Sequence, residues 1–447
     1  MVRKQENETI GLFAKLRFRV PRFGTLVADT SEVCKHPWTV SDEVRCLDLK
    51  ADLMKEALYI DIPFATGLGG DLNRSRFIWG LLSEHYTVDL VLTLDGEEAA
   101  SRVDDHEGYR DLLTLDFKPG TGFQPHSVFH FSEDSFRQLR EFVSGKSYAV
   151  IVIRAAAPAL LGEEIRKVDP NAKVVIDSDL VMSKYTQGIW ENSRTIKNRW
   201  SLFESWRLKK FEKQLYQKDY LFLFANSEDD RFIREQYVNA STWKGKTAML
   251  PNAVRFDVGS PTPPQGKSFL YFGALDSKPN IDAFVFLMDE VYPHMADALA
   301  KHGATLDVAG RRVQPIYQEL VEKHGAGEHV RILGEVDDMT KTIMDASFSV
   351  FPVQNGTGTR VRVLDAAKAR RTAVTTSKGA EGYEMGEDAL FIRDDAADYA
   401  KAVVKLLEEP DLAIRMGENL FEKAHHEFSE ESVGEALLKS LGEWSEA

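Results

Sequence analysis

Ala346-Ser-Phe-Ser-Val-Phe-Pro-Val-Gln-Asn-Gly-Thr-Gly-Thr-Arg-Val-Arg-Val-Leu-Asp-Ala-Ala367 is the stretch that decides the fold. Its opening is short, rich in Phe and Val and ends at Pro352, which reads as a buried strand; a glycine-bearing turn and a helical pattern follow. The unpaired amides and dipole of such a helix start favour an anion, and Gly356 and Gly358 let backbone come close to a ligand. Counted at helical spacing from Gly358, Arg362 falls at i+4 and Asp365 at i+7, so glycine, cation and carboxylate share one face. A diphosphate contact and a hydroxyl acceptor then lie two turns apart. For the two side chains taken alone, an i,i+3 surface ion pair is the competing reading.

Working outward, similar units recur. Ala57-Leu-Tyr-Ile-Asp-Ile62 reads as a strand before a loop carrying Gly67, Gly69 and Gly70 and a helical pattern through Leu82. Strand-like runs return at Ser147–Ile153, Ala172–Asp177 and Tyr220–Ala225, separated by helical patterns. Continuous apolar strands alternating with helices predict a parallel sheet covered on both faces, with ligands beyond the carboxyl ends of its strands. Arg154, Asp177 and Asp179 fall at such ends. The proline- and glycine-rich Gly259–Gly266 reads as a linker. After it, Ser268–Ala283 repeats strand, tight turn and helix, with Asn280 as the expected N-cap.

A chain of 447 residues is too long for one ordinary core and predicts two large domains. Its net charge of −14 argues against a nucleic-acid partner, since phosphate-backbone binding needs a basic surface. Cys34 and Cys46 lack metal-ligand spacing and are too few for a disulfide framework, which points to a reducing cytoplasm. The start lacks an apolar signal core and no apolar run reaches bilayer length, so a cytoplasmic protein is expected, soluble or peripheral on the inner face of the membrane. Ile10–Val20 alternates apolar and basic residues, as a peripheral strand or an interfacial segment does. Arg194–Lys218 interleaves Trp200, Phe203, Trp206 and Phe211 with Arg and Lys and reads as one long helix. The expected arrangement buries its aromatics and solvates its charges; the alternative lays it on an anionic membrane.

The pattern Gly356-Thr-Gly-Thr-Arg-Val-Arg-Val-Leu-Asp-Ala366, with Ala373-Val-Thr-Thr-Ser-Lys-Gly-Ala-Glu-Gly-Tyr383, resembles the donor-site signature of glycosyltransferase family 4, a large retaining group with the GT-B fold. Met249–Phe256 resembles the turn that closes the first domain of that family, with Ala253 in place of the usual glycine. The resemblance covers about residues 56 to 430 and its motifs concentrate in 268–383. It implies an α/β, GT-B chain of two facing Rossmann-like domains with mainly parallel sheets. Residues 1–51 would be an N-terminal extension, 52–258 the acceptor domain, 259–430 the nucleotide-sugar donor domain and 431–447 a terminal helix crossing back to the first.

By the same resemblance Asp365 holds the donor ribose, and Thr357, Gly358, Thr359, Arg360 and Arg362 hold the diphosphate, Arg362 also countering charge on the leaving group. Gly273 forms a second glycine turn. Ala274 stands where relatives carry a cation, so Lys278 becomes the substitute, and Arg311 is a further diphosphate candidate with a surface ion pair as its alternative. Val336 would line the base pocket through its backbone. Gly67, Gly69 and Gly70 form the acceptor-side loop, and Asp179 is the candidate for orienting an acceptor hydroxyl, helix capping being the alternative. Three departures stand out: Thr357 replaces the first acid of the family's pair, Asp365 replaces a Glu, and Arg370 and Thr372 stand where Gly and Pro are usual. The implied activity is transfer of a sugar from a UDP- or GDP-sugar to a glycan, lipid-linked or protein acceptor, with no metal or resident cofactor. A nucleotide-sugar epimerase of the same fold and a non-catalytic sugar-binding relative are the alternatives.

Overall fold

Two runs of strands, several of them apolar along their whole length, organise the computed structural model. It describes residues 54–62, 70–94, 106–192, 199–239, 243, 245–257, 264, 267–354 and 361–446. Outside these lie residues 1–53, with the segment read at Ile10–Val20, Gly67 and Gly69, most of the Gly259–Gly266 linker, and Thr357, Gly358, Thr359 and Arg360.

The first sheet is built from β1 (Glu56–Asp61), β2 (Thr87–Leu94), β3 (Leu112–Pro119), β4 (Phe129–Phe131), β5 (Val150–Arg154), β6 (Val174–Ser178), β7 (Leu221–Phe224) and β8 (Lys246–Met249). Its spatial order is β4-β3-β2-β1-β5-β6-β7-β8, and only β4 runs antiparallel to its neighbour. Val150-Ile-Val-Ile-Arg154 and Leu221-Phe-Leu-Phe224 are buried at every position, because helices cover both faces of this sheet. The second sheet comprises β9 (Ser268–Phe272), β10 (Thr305–Ala309), β11 (Val330–Gly334), β12 (Ser349–Phe351), β13 (Ala373–Thr375) and β14 (Phe391–Ile392). Its order is β11-β10-β9-β12-β13-β14, parallel throughout.

In each sheet the opening strand lies between two strands that follow it in sequence, β1 between β2 and β5 and β9 between β10 and β12. The winding direction reverses there, and the crevice this leaves beyond the carboxyl ends is where such sheets take ligands. The chain passes between the two sheets twice, side by side. Val254 N donates to the Phe428 carbonyl at 2.9 Å, Glu430 N donates to the Val254 carbonyl at 3.2 Å, and Arg255 Nε reaches Glu430 at 2.6 Å. Beyond this crossing, the helix Glu430–Glu446 buries Val433, Leu437, Leu441 and Trp444 among Ala57, Tyr59, Val150 and Leu221 of the first sheet.

One expectation holds only in part: Phe211 packs against the core and Arg199, Lys209, Lys210 and Lys213 are solvated, but the other aromatics turn outward. The aromatic and basic helix is found as Arg199–Leu215, but it buries Ser201, Glu204, Ser205, Leu208, Glu212 and Leu215 and exposes Trp200, Phe203 and Trp206. The polar residues turn inward because they have partners there. Glu204 accepts from Ser127 N at 2.9 Å and from its hydroxyl at 3.1 Å, Glu212 accepts from Ser183 N at 3.0 Å, and the Ser205 hydroxyl donates to the Ser183 carbonyl at 2.9 Å. Burial pushes the Glu212 carboxyl up to about 7.

Candidate functional site at the ends of the second sheet

Three strand ends are stitched together by glycine. Gly273 N donates to the Ala309 carbonyl at 3.2 Å and Gly310 N to the Gly334 carbonyl at 2.7 Å. Gly310 has φ +152°, and a Cβ there would come within 1.9 Å of the Gly273 carbonyl oxygen. No other residue fits without moving one of the loops. Gly310→Ala is therefore expected to cost about 3 kcal/mol or more in urea unfolding.

Beside this junction stands the helix Val361–Lys368. Arg362 Nη1 donates to the Phe272 carbonyl at 3.1 Å and Nη2 to Asn280 Oδ1 at 2.8 Å, and its guanidinium lies 5.5 Å from the Phe351 ring centroid. A Cβ on Gly273 would come to 3.3 Å from Arg362 Nη1 and 3.0 Å from Asn280 Nδ2. The fork is thus fixed at the switch between β9 and β12. Asn280 is the third residue of the helix Lys278–Phe286 rather than its N-cap, which is Ser277. Its amide instead bridges the site, donating to the Ala274 carbonyl at 2.8 Å while accepting from Arg362.

Asp365 lies one turn beyond Arg362, half-buried between Leu364 and Ala366, with no hydrogen-bond or ion-pair partner for its carboxyl among the described residues. The surface ion pair with Arg362 is not formed, since the guanidinium is taken by β9 and Asn280. Burial pushes the Asp365 carboxyl up to about 6, with the charges of Lys368 and Arg362 offsetting part of the effect. Desolvation without a partner is costly to a structure, which makes Asp365 a candidate ligand contact.

The other expected donor-side residues divide. Arg311 is half-buried at the end of β10 with no side-chain partner among the described residues, while its neighbour Arg312 pairs with Asp276 at 2.8 Å. Lys278 is not brought to the group: it is exposed and paired with Asp282 one turn along its own helix. Val336 follows β11 and packs, half-buried, against the apolar cluster containing Ile343, Val353 and Val363.

On the first sheet the strand ends carry a buried charge network. Arg74 grips Asp177 through Nε, at 3.1 and 3.0 Å, and Nη2, at 2.6 Å, and donates from Nη1 to the Leu250 carbonyl at 2.6 Å. Arg154 lies 3.2 Å from the same carboxylate and donates to Asp179 at 3.0 Å. Burial works against charge on Asp179, but Arg154 and Arg74 outweigh it and hold its carboxyl below the usual range. Asp179 is therefore an ionised hydrogen-bond acceptor and a poor proton acceptor. Gly70 opens the helix Gly70–His85, which delivers Arg74 to this network.

Two groupings escaped the sequence reading. At the end of β1, Asp61 accepts from Ile62 N at 2.8 Å and from the Ser75 hydroxyl, and meets His106 Nε2 at 2.9 Å. The only signal was a carboxylate closing an otherwise apolar strand. The second spans the two sheets: Lys184, which lies 2.8 Å from Asp229 and 3.5 Å from Glu228, also lies 4.0 Å from Glu381 in the loop after β13. Burial and a hydrogen bond to Glu228 raise the Glu381 carboxyl. Glu381 stood within the quoted Lys378-Gly-Ala-Glu motif, but nothing local showed that it faces the first domain.

Residues 266–409 match the family described as Glycosyl transferases group 1. No curated protein sequence matches the chain. Among solved structures, HepE from Anabaena in complex with UDP and glucose is similar over 87% of this chain and 100% of that one, at 12% identity and a TM-score of 0.58. A glycosyltransferase from Rickettsia africae covers 88% of this chain and 99% of its own, at 12% identity and a TM-score of 0.61. The pneumococcal O-GlcNAc transferase GtfA in complex with UDP and GlcNAc covers 88% and 99%, at 9% identity and a TM-score of 0.59. The chain thus has the GT-B fold, and its whole second sheet lies in the segment that matches glycosyl transferases group 1.

Proposed function

We propose that this chain is a glycosyltransferase that moves a sugar from a nucleoside-diphosphate donor to a glycan, lipid-linked or protein acceptor, with retention of configuration and without a metal. The observation that carries the reading is Asp365, a half-buried carboxylate with no partner among the described residues, one turn from a guanidinium fixed at the β9/β12 switch. A ribose supplies the two hydroxyl donors such a carboxylate needs, and a diphosphate fits the cations of Arg362 and Arg311. The UDP held by HepE and by GtfA, both of the same fold, supports a uridine nucleotide as the first donor to try.

In the reaction, the bond from the anomeric carbon to the diphosphate oxygen breaks and its electron pair leaves with the nucleoside diphosphate. The acceptor oxygen bonds to the same face of the sugar, and its proton passes to the departing phosphate. Charge grows on the phosphate oxygens, so fixed cations beside them lower the barrier. Asp179, ionised by Arg154, suits the orienting of an acceptor hydroxyl. Lys184, reaching from Asp229 towards Glu381, suits holding the two domains closed so that water does not intercept the donor.

Nucleotide release from a panel of UDP- and GDP-sugars, with and without a cell-derived glycan and lipid extract and in the presence of a chelator, tests the proposal. Acceptor-dependent release that survives chelation, with the donor's anomeric configuration found in the product by NMR, is expected. Isomerised donor without release would favour the epimerase, and binding without turnover the non-catalytic relative.

A further inference from the structure

The helix Arg199–Leu215 presents to solvent the side chains an ordinary amphipathic helix hides. Trp200 is 54% exposed, Phe203 45%, Trp206 43% and Leu202 41%. These residues form a constructed surface. Phe203 and Trp206 stack at 5.8 Å between ring centroids, and Phe123, 81% exposed on the neighbouring loop, meets Phe203 edge-on at 6.3 Å. Arg207 ties that loop down, donating from Nη1 to the Gly122 carbonyl at 2.6 Å while its guanidinium covers the Phe203 ring. The inward hydrogen bonds of Glu204, Ser205 and Glu212 fix the helix's rotation, so the aromatic face is outward by design.

Charge identifies the occupant. The chain carries −14 overall, yet Arg199, Lys209, Lys210 and Lys213 are all exposed on this helix, and its two acids, Glu204 and Glu212, are fully buried. Lys210 Nζ sits 3.9 Å from the Trp206 ring centroid. A locally cationic, tryptophan-bearing face on an acidic protein complements an anionic surface with an apolar layer beneath it, where rings enter at headgroup depth and lysines reach the phosphates. No helix among the described residues is long and apolar enough to cross a membrane, so contact here is contact from one side.

We propose that Phe123, Trp200, Phe203, Trp206 and the flanking cations of this helix dock the protein onto the surface of an anionic lipid bilayer. The face belongs to the first domain, so docking would bring the acceptor side to the membrane and favour a lipid-linked acceptor. That consequence rests on the glycosyltransferase reading; the docking does not.

Co-sedimentation of the full chain with phosphatidylcholine vesicles, with and without phosphatidylglycerol, is the test. Binding to the anionic vesicles alone, weakened by salt, is expected. Phe203→Ser/Trp206→Ser should lower partitioning by about tenfold, and Lys210→Glu by about twenty-five-fold, a reversal counting as two charges at about fivefold each. Both variants should bind nucleotide like the parent, which shows that they fold and keeps a failure of docking separate from a failure of the donor site. The blue shift of tryptophan emission on adding vesicles should shrink in Trp206→Phe. Parent and variants partitioning alike, or no binding by the parent, would overturn the proposal. So would a parent dimer that the aromatic variant dissolves without any effect of vesicles, since the face would then belong to a second copy.

Discussion

Asp365→Ala is expected to weaken binding of a UDP-sugar by about a hundredfold or more and to leave the chain folded. Two hydroxyl hydrogen bonds to a charged acceptor contribute about 1.5–3 kcal/mol each, and both are lost together. The stability effect has the opposite sign. The carboxyl titrates near 6 in the folded protein against a reference of 3.8, because burial disfavours its charge and no partner among the described residues compensates. The folded chain thus holds a proton that the unfolded chain has released between these values, so the contribution to stability is present below about 3.8 and is lost as pH rises towards 6. At neutral pH, Asp365→Asn removes that cost, and a gain on the order of 1–2 kcal/mol, seen as a Tm higher by about 2–4 °C, should accompany its weaker nucleotide binding. The same titration shapes affinity. The diphosphate of a nucleotide sugar stays ionised through this range, so binding should fall as pH drops through about 6 in the parent and remain flat in Asp365→Asn. Isothermal titration across pH measures both.

The largest loss of stability should come from Asp177→Ala, at about 3–5 kcal/mol in urea unfolding. Asp177 is fully buried in β6 and is the acceptor for three nitrogen contacts from Arg74, with Arg154 closing on it from the other side. Removing it leaves two guanidinium groups in a dry interior, one retaining, among the described residues, the Leu250 carbonyl and the other Asp179. Combining it with Arg74→Ala should cost less than the sum of the single changes, because the second removes a charge the first has stranded. By contrast, Arg255→Ala breaks an exposed bridge to Glu430 and should stay within about 0.5 kcal/mol.

The fold was legible because apolar runs such as Val150–Ile153 and Leu221–Phe224 carry no alternation, which only a sheet covered on both faces explains. Of the residues that helical spacing aligned, Arg362 and Asp365 lie on one helix, with Arg362 anchored and Asp365 without a partner among the described residues. Readings that depended on tertiary partners fared differently. Lys278 has the right charge in the right loop, but Asp282 at i+4 takes its ammonium, and Asn280 looks like a cap until its bonds to Ala274 and Arg362 are seen. The Arg199–Leu215 helix was turned over by Ser127 and Ser183, whose backbone and hydroxyl groups await Glu204 and Glu212 from other parts of the chain. Glu381 and Lys184 meet across some two hundred residues, which no local pattern records.

The central claim is that the ends of the second sheet hold a nucleoside diphosphate, with a pentose on Asp365 and phosphates on Arg362 and Arg311. A crystal structure with bound UDP tests it most directly. The account predicts both ribose hydroxyls at hydrogen-bond distance from the Asp365 carboxylate and the diphosphate against Arg362; a nucleotide seated elsewhere, or an Asp365 side chain turned away from the sugar, would contradict it.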